Sequence, residues 1–221
     1  MRGMSTSPPF EAVLFDCDGV LVDSEPITNG VLRDMLEEIG WSMSPEECIE
    51  RFVGHTVISQ KAEIEARTGR PFSQAWLQAF MHRRNLALQE RLSVIEGIHE
   101  AVAHLHARMG GRLAVASGAD RFKVEMMLSQ KGLLPWFEGR IFSGHEMPRS
   151  KPHPDVYLAA AAHLGVDPAR CLVIEDTPVG VTAGVAAGAT VWGYAALGQG
   201  DRLRAAGVQQ VFDHMRHLLT L

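Results

Sequence analysis

Residues 13–23 read VLFDCDGVLVD, and the fold turns on how that stretch is understood. Val13, Leu14 and Phe15 form a short apolar run of the kind that ends a strand buried on both faces. Asp16 and Asp18 follow, two residues apart. Alternate side chains of an extended segment share a side, so both carboxylates can face one site. Gly19 then lets the chain turn away. Two acids this close to a buried strand end repel each other and are costly to desolvate without a cation. A solvated Asp-x-Asp-Gly turn is the plain alternative, but it leaves the apolar runs on both sides unexplained. The stretch reads as a core strand that delivers two acids to a metal site.

After this strand, residues 24–92 read as mainly helical, with no convincing strand. Ile27, Val31, Met35 and Ile39 recur about one turn apart before Gly40. Ser44, Pro45 and Glu47 form a capping-box signature for a second helix. VISQKAEIEARTG is a third helical segment ending at Gly69, and Trp76, Leu77, Phe80, Leu86, Leu88 and Leu92 mark a fourth. From about Val94 the pattern becomes an alternation of helices with short apolar strands: LAVAS, RIFSG, CLVIED and ATVWGY. The tail adds a helix, a short strand at residues 208–212 and a closing helix. Such alternation implies a parallel sheet with helices on both faces. The expected fold class is α/β, a Rossmann-like core of residues 11–23 and 93–221. A helical cap of residues 24–92 is inserted through two short hinge-like crossings, and residues 1–10 form a loose leader.

The composition excludes several classes. At 221 residues the chain suffices for one sizeable core with a small appended unit. A formal charge of −5 gives no general attraction to nucleic acid or an anionic membrane. No apolar run reaches membrane-spanning length, and MRGMSTSPPF lacks the apolar core of a signal peptide. Cys17, Cys48 and Cys171 are odd in number and widely spaced, which suits free thiols in a reducing compartment. The expected location is the cytoplasm, and the expected state a monomer or weak homodimer.

In doubly wound sheets, ligands bind beyond the carboxyl ends of the strands. Polar residues gather at those ends: Asp16 and Asp18, Ser117-Gly118, and Glu175-Asp176. The proline-pinned loop Ser150-Lys151-Pro152-His153-Pro154 lies between the last two. Each piece alone is commonly a turn, a solvated loop or a helix-start signal. Together they make four carboxylates, a hydroxyl and an ammonium. Oxygen ligands without a His or Cys cluster suit a hard cation such as Mg²⁺. That cation, a lysine and N–H groups at helix starts suit a phosphate oxyanion.

The four segments DCDGVLVDSE, ASG, SKPHP and VIEDTPVGVTAG, in this order, resemble the motifs of the haloacid dehalogenase superfamily of phosphohydrolases. The branch is the one that includes β-phosphoglucomutase and small sugar-phosphate phosphatases, and the resemblance runs from Val13 to about Tyr194. It implies that Asp16 is a nucleophile that becomes phosphorylated and that Asp18 is the general acid/base. It further implies that Asp16, the backbone carbonyl of Asp18, and Asp176 with help from Glu175 hold Mg²⁺, while Ser117, Gly118 and Lys151 grip the phosphoryl group. The implied partner is a small phosphorylated metabolite. The mutase carries a histidine where this chain has Thr28, and a cap-loop arginine that Val53-Gly54-His55-Thr56-Val57 does not supply. Both departures favour transfer to water over the alternative of a phosphosugar mutase. The superfamily's dehalogenases lack the acid found here at Asp18. A non-catalytic binding protein on the same fold is a further alternative, one that gives no reason to keep four costly carboxylates together. For the leaving group, Gly54 and His55 of the cap and Arg121 past the Ser117-Gly118 turn are candidate contacts, Arg121 for a second anionic group. The similarity to bacterial sugar-phosphate phosphatases, 6-phosphogluconate phosphatases among them, makes a sugar, polyol or sugar-acid phosphate the expected substrate. His99, His104, His106, His214 and His217 are read as bystanders, and Trp76, Phe80, Met126 and Met127 as packing.

Overall fold

The computed structural model describes residues 10–53 and 55–221. Among these, six strands form a wholly parallel sheet: β1 (Ala12–Phe15), β4 (Leu113–Ser117), β5 (Ile141–Ser143), β6 (Cys171–Glu175), β7 (Thr190–Tyr194) and β8 (Gln210–Phe212). Their order is β5-β4-β1-β6-β7-β8. The chain leaves central β1 toward β4 and β5, then crosses back to add β6, β7 and β8 on the other side. The reversal opens a crevice beyond the carboxyl ends of β1, β4 and β6.

Alternation within the strands divides the core between the two faces. Val13 and Phe15 of β1, Leu113 and Val115 of β4, and Leu172 and Ile174 of β6 pack on one face. Helices α5 (Ile98–Arg108) and α6 (Arg121–Gln130) and the 3₁₀ segment Met215–Thr220 cover that face. Ala12 and Leu14, Ala114 and Ala116, and Cys171 and Val173 face the opposite way. There they meet α7 (Asp155–Leu164), α8 (Pro178–Ala186) and α9 (Gly200–Ala206). Burial on both faces explains why these strands read as unbroken apolar runs. Full burial of a side chain such as Phe15 contributes about 1.5–3 kcal/mol.

Between β2 (Val22–Asp23) and β3 (Ser93–Val94) the chain forms the cap: α1 (Glu25–Glu37), α2 (Pro45–Phe52), α3 (Lys61–Thr68) and α4 (Gln74–Arg91). The cap has its own apolar cluster, with Leu32, Met35, Leu36, Cys48, Phe52, Ile64 and Phe80 at its centre. Both halves of the capping box form at α2, where Ser44 accepts from Glu47 N and the Glu47 carboxylate accepts from Ser44 N. The parallel α/β core and the inserted helical cap agree with the sequence reading. Three details differ. The two crossings pair as a short antiparallel ladder, with Val22 opposite Val94, so their backbone groups are satisfied by each other. Residues 57–60 form a 3₁₀ turn ahead of α3 rather than part of one helix, because Thr56 caps them separately through Ser59 N. The closing helix is 3₁₀ as well. All three cysteines are free and buried. Among the described residues no helix is long and apolar enough to cross a membrane.

Candidate active site

Strand register sets the site. Phe15 lies level with Val115 of β4 and Ile174 of β6, so Asp16 comes level with Glu175 at the sheet's carboxyl edge, and Ser117 follows one residue further along β4. Gly19 turns the chain back immediately after Asp18, at φ +75°. A Cβ there would also collide with Asp176 Oδ2 and lie 2.8 Å from Asp176 Cγ. The glycine of the first motif is thus required twice, for its backbone conformation and for the room it leaves an acid from another strand. Gly180, at the start of α8, serves Glu175 in the same way, since a Cβ there would overlap the carboxylate.

Lys151 is the hub. Its Nζ donates to Asp16 Oδ1 and to Glu175 Oε1, both at 2.6 Å, and its side chain is 8% exposed. The Tyr157 hydroxyl donates to the same Glu175 oxygen at 2.7 Å. Glu175 Oε2 accepts from Asp176 N at 3.1 Å, Thr177 N at 3.3 Å and Thr177 Oγ1 at 3.2 Å. Both Glu175 oxygens are therefore engaged, and the residue chiefly aims the lysine. Asp16, Glu175 and Asp176 bring one oxygen each within 4.8 Å of one another. Asp176 Oδ1 is buried with no hydrogen-bond partner among the described residues.

The electrostatics indicate what this cluster suits. Burial, then the charges of Glu175 and Asp18, push the Asp16 carboxyl up to about 7 despite the Lys151 ammonium. Burial and the neighbouring Glu25, Glu175 and Asp16 drive Asp176 well above the usual carboxylate range. Glu25, which the sequence reading did not single out, is raised to about 8 by burial and by Asp18 and Asp16. An acid with an orphaned inward oxygen, next to two more acids, fits a divalent cation held by hard oxygen donors. The residues present suit such an ion.

Asp18 sits apart from that cluster. Burial would raise its pKa, but the Lys123 charge and hydrogen bonds from Lys123 and Ser24 outweigh it and hold the carboxyl below its usual range. Lys123 Nζ lies 2.5 Å from Asp18 Oδ1, and the Ser24 hydroxyl donates to the same oxygen. Both contacts fall on the one oxygen, Oδ1.

Beyond these groups a cavity of about 650 Å³ opens between core and cap. Asp16, Asp18, Ser117, Gly118 and Lys151 line its floor, and Thr28, Asn29, Phe52, His55 and Phe80 are on the cap side. The Thr28 hydroxyl is buried and has no hydrogen-bond partner among the described residues. Gly54, also expected near the leaving group, lies outside the described residues. Arg121 requires a correction. It is not among the residues lining the cavity. Its guanidinium is spent on Glu146, with both bonds at 2.6 Å, and on the Ile141 carbonyl at 2.8 Å. The residues missed were Lys123, Tyr157, Ser24, Glu25 and Arg84. Of these, Ser24 and Glu25 belong to the DCDGVLVDSE segment itself and were legible there.

The haloacid dehalogenase-like hydrolase family profile matches residues 10–188. Two Escherichia coli K12 proteins are similar over most of their length. 6-Phosphogluconate phosphatase is 29% identical over 188 residues, covering 84% of this chain and 83% of its own. Hexitol phosphatase B is 32% identical over 186 residues, covering 83% of each. The crystal structure of a haloacid dehalogenase family hydrolase from Deinococcus radiodurans R1, with bound phosphate and sodium, is 34% identical and superposes with a TM-score of 0.77 over 95% of this chain and 93% of that one. The chain belongs to the haloacid dehalogenase-like hydrolase family, and it is an enzyme of the phosphoric monoester hydrolase kind.

Proposed function

We propose that the protein is a Mg²⁺-dependent phosphatase that hydrolyses a small phosphomonoester, of the sugar or sugar-acid phosphate class, through a phosphoaspartate intermediate. The observation that carries this reading is the lysine bridge. Lys151 Nζ holds the Asp16 and Glu175 carboxylates at 2.6 Å each, beside the orphaned Asp176 oxygen. A carboxylate aimed at a phosphate dianion must overcome charge repulsion, and a fixed ammonium at the point of attack offsets it. Mg²⁺, held by Asp16, Asp176 and the Asp18 carbonyl, would neutralise further charge on the phosphoryl oxygens.

In the first half-reaction an Asp16 oxygen bonds to phosphorus as the bond to the leaving oxygen breaks, and the leaving oxygen takes up a proton through Asp18 Oδ2, the oxygen that Lys123 and Ser24 do not engage. In the second, water attacks the same phosphorus, Asp18 accepts its proton, and the bond to Asp16 breaks. Splitting the reaction replaces one difficult displacement by two easier ones. Ser24 and Lys123 fix the direction of the Asp18 carboxylate, and Ser117 and Lys151 orient the phosphoryl group. The cap roof excludes water from the first step and selects the leaving group. The names of the two bacterial relatives support a sugar-type leaving group. Phosphate release from a panel of phosphorylated metabolites, with and without EDTA, tests the reading. Activity that needs Mg²⁺ and vanishes in Asp16→Asn supports it. A strong preference for nucleotides or phosphoproteins over every sugar phosphate would sink the substrate class.

A further inference from the structure

The cavity wall near Asp18 contains two buried cations, one from the cap and one from the core. Arg84 of cap helix α4 is 7% exposed and Lys123 of core helix α6 is 5% exposed, and both line the cavity. Arginine and lysine are almost never this buried unless their charge is answered. Lys123 meets Asp18, as described above. Arg84 is held along one edge only. Its Nε and Nη2 donate to Asn85 Oδ1 at 3.0 and 2.8 Å, and Nη2 also donates to Asp120 Oδ2 at 3.0 Å. The Phe80 ring centre lies 5.9 Å from its Cζ. Its Nη1 has no hydrogen-bond partner among the described residues. A guanidinium locked in orientation with one amino group unused is a preorganised receptor for an oxyanion.

We propose that Arg84 and Lys123 together bind a carboxylate carried by the leaving group, so that the preferred substrates are phosphorylated acids rather than neutral polyol phosphates. The proposal rests on the phosphatase reading and narrows it. The placement follows the reaction axis. Ser117 and Lys151 take the phosphoryl end, Asp18 must reach the leaving oxygen, and Lys123 contacts Asp18 while lining the same cavity as Arg84. Asp120 ties the two cations into one unit, since it pairs with Arg84 and also caps α6 by accepting from Lys123 N at 2.9 Å. The carboxylate is then gripped from cap and core at once. The role expected of Arg121 falls to these two residues instead.

The test compares kcat/KM within pairs that differ only in the acid: 6-phosphogluconate against glucitol 6-phosphate, and 3-phosphoglycerate against glycerol 3-phosphate. The wild type should favour the acid member of at least one pair by roughly 10-fold or more, the worth of a charge-assisted contact. Arg84→Gln should pull that ratio toward one, mainly through KM for the acid, and Arg84→Lys should restore part of it. The absence of an acid preference in both pairs overturns the proposal. So does an equal loss on both members in Arg84→Gln, which is the signature of a mere strut between cap and core. Thermal melts of both variants identify any that fail to fold. Release from p-nitrophenyl phosphate without acid preference overturns this inference alone. No release from any ester overturns the phosphatase reading beneath it.

Discussion

Replacing Gly19 by alanine perturbs the site through a single methyl group. The backbone at φ +75° is left-handed, where an L-residue costs about 1–2 kcal/mol. For a chain of this size that lowers the melting temperature by roughly 2–8 °C. The second effect is local. The new Cβ would lie 2.8 Å from Asp176 Cγ, whereas carbon atoms settle at about 3.5–4.0 Å, so the carboxylate must retreat by about 1 Å. Asp176 is buried with one oxygen unpartnered, and its retreat opens the acidic cluster. A displacement of about 1 Å at a catalytic constellation costs on the order of 100-fold in rate. Steady-state phosphate release and a thermal melt with and without Mg²⁺ measure the two effects separately. Gly19→Ala should melt slightly lower, lose most turnover and lose most of its Mg²⁺-dependent stabilisation. Wild-type turnover together with an undiminished Mg²⁺ shift would refute the claim that Gly19 makes room for a metal ligand.

Other perturbations follow from the same geometry. Tyr157→Phe removes one of the two donors to Glu175 Oε1 and should cost about 1.5–3 kcal/mol of stability, with a fall in kcat as Glu175, which holds Lys151, loses one of its restraints; an unchanged melt and rate would deny Tyr157 that role. Arg121→Ala removes a solvent-screened pair, with side chains 40% and 41% exposed, and should cost about 0.2–1 kcal/mol without changing kcat/KM for sugar-acid phosphates. Arg121 lowers the Glu146 pKa below 4.5, so this small stabilisation is present above that value and is lost as pH falls through the folded pKa. The stability gap between wild type and Arg121→Ala should accordingly close in acid, and a gap that widened there would contradict the pairing.

The parts of the site legible in the sequence are those fixed by strand periodicity. An apolar run ending in Asp16, another in Ser117 and a third in Glu175 must deliver their polar ends to one edge once the strands are parallel. Helical side chains were harder to assign, because one residue of offset turns a side chain by about 100°. Arg121 and Lys123 are two residues apart and so point to opposite sides of α6; Arg121, the expected contact, faces Glu146, while Lys123 meets Asp18. Arg83 and Arg84 show the same problem on α4. Arg83 pairs with Glu38 in solvent, and Arg84 turns inward to the cavity. Tyr157 falls among the apolar positions of α7, and only the fold reveals that its hydroxyl reaches Glu175. The short ladder of Val22 and Val94 pairs residues far apart in the chain, which no local pattern discloses.

The central claim is that Asp16 itself becomes phosphorylated. The most direct measurement mixes enzyme, Mg²⁺ and a turned-over phosphomonoester, quenches the mixture in acid within one turnover, and maps the phosphoryl group by peptide mass spectrometry. The account predicts an acyl-phosphate on the peptide that contains Asp16, absent from Asp16→Asn and from a sample treated with EDTA. Rapid phosphate release with no phosphorylated peptide at any time, or with the label on another residue, would contradict it.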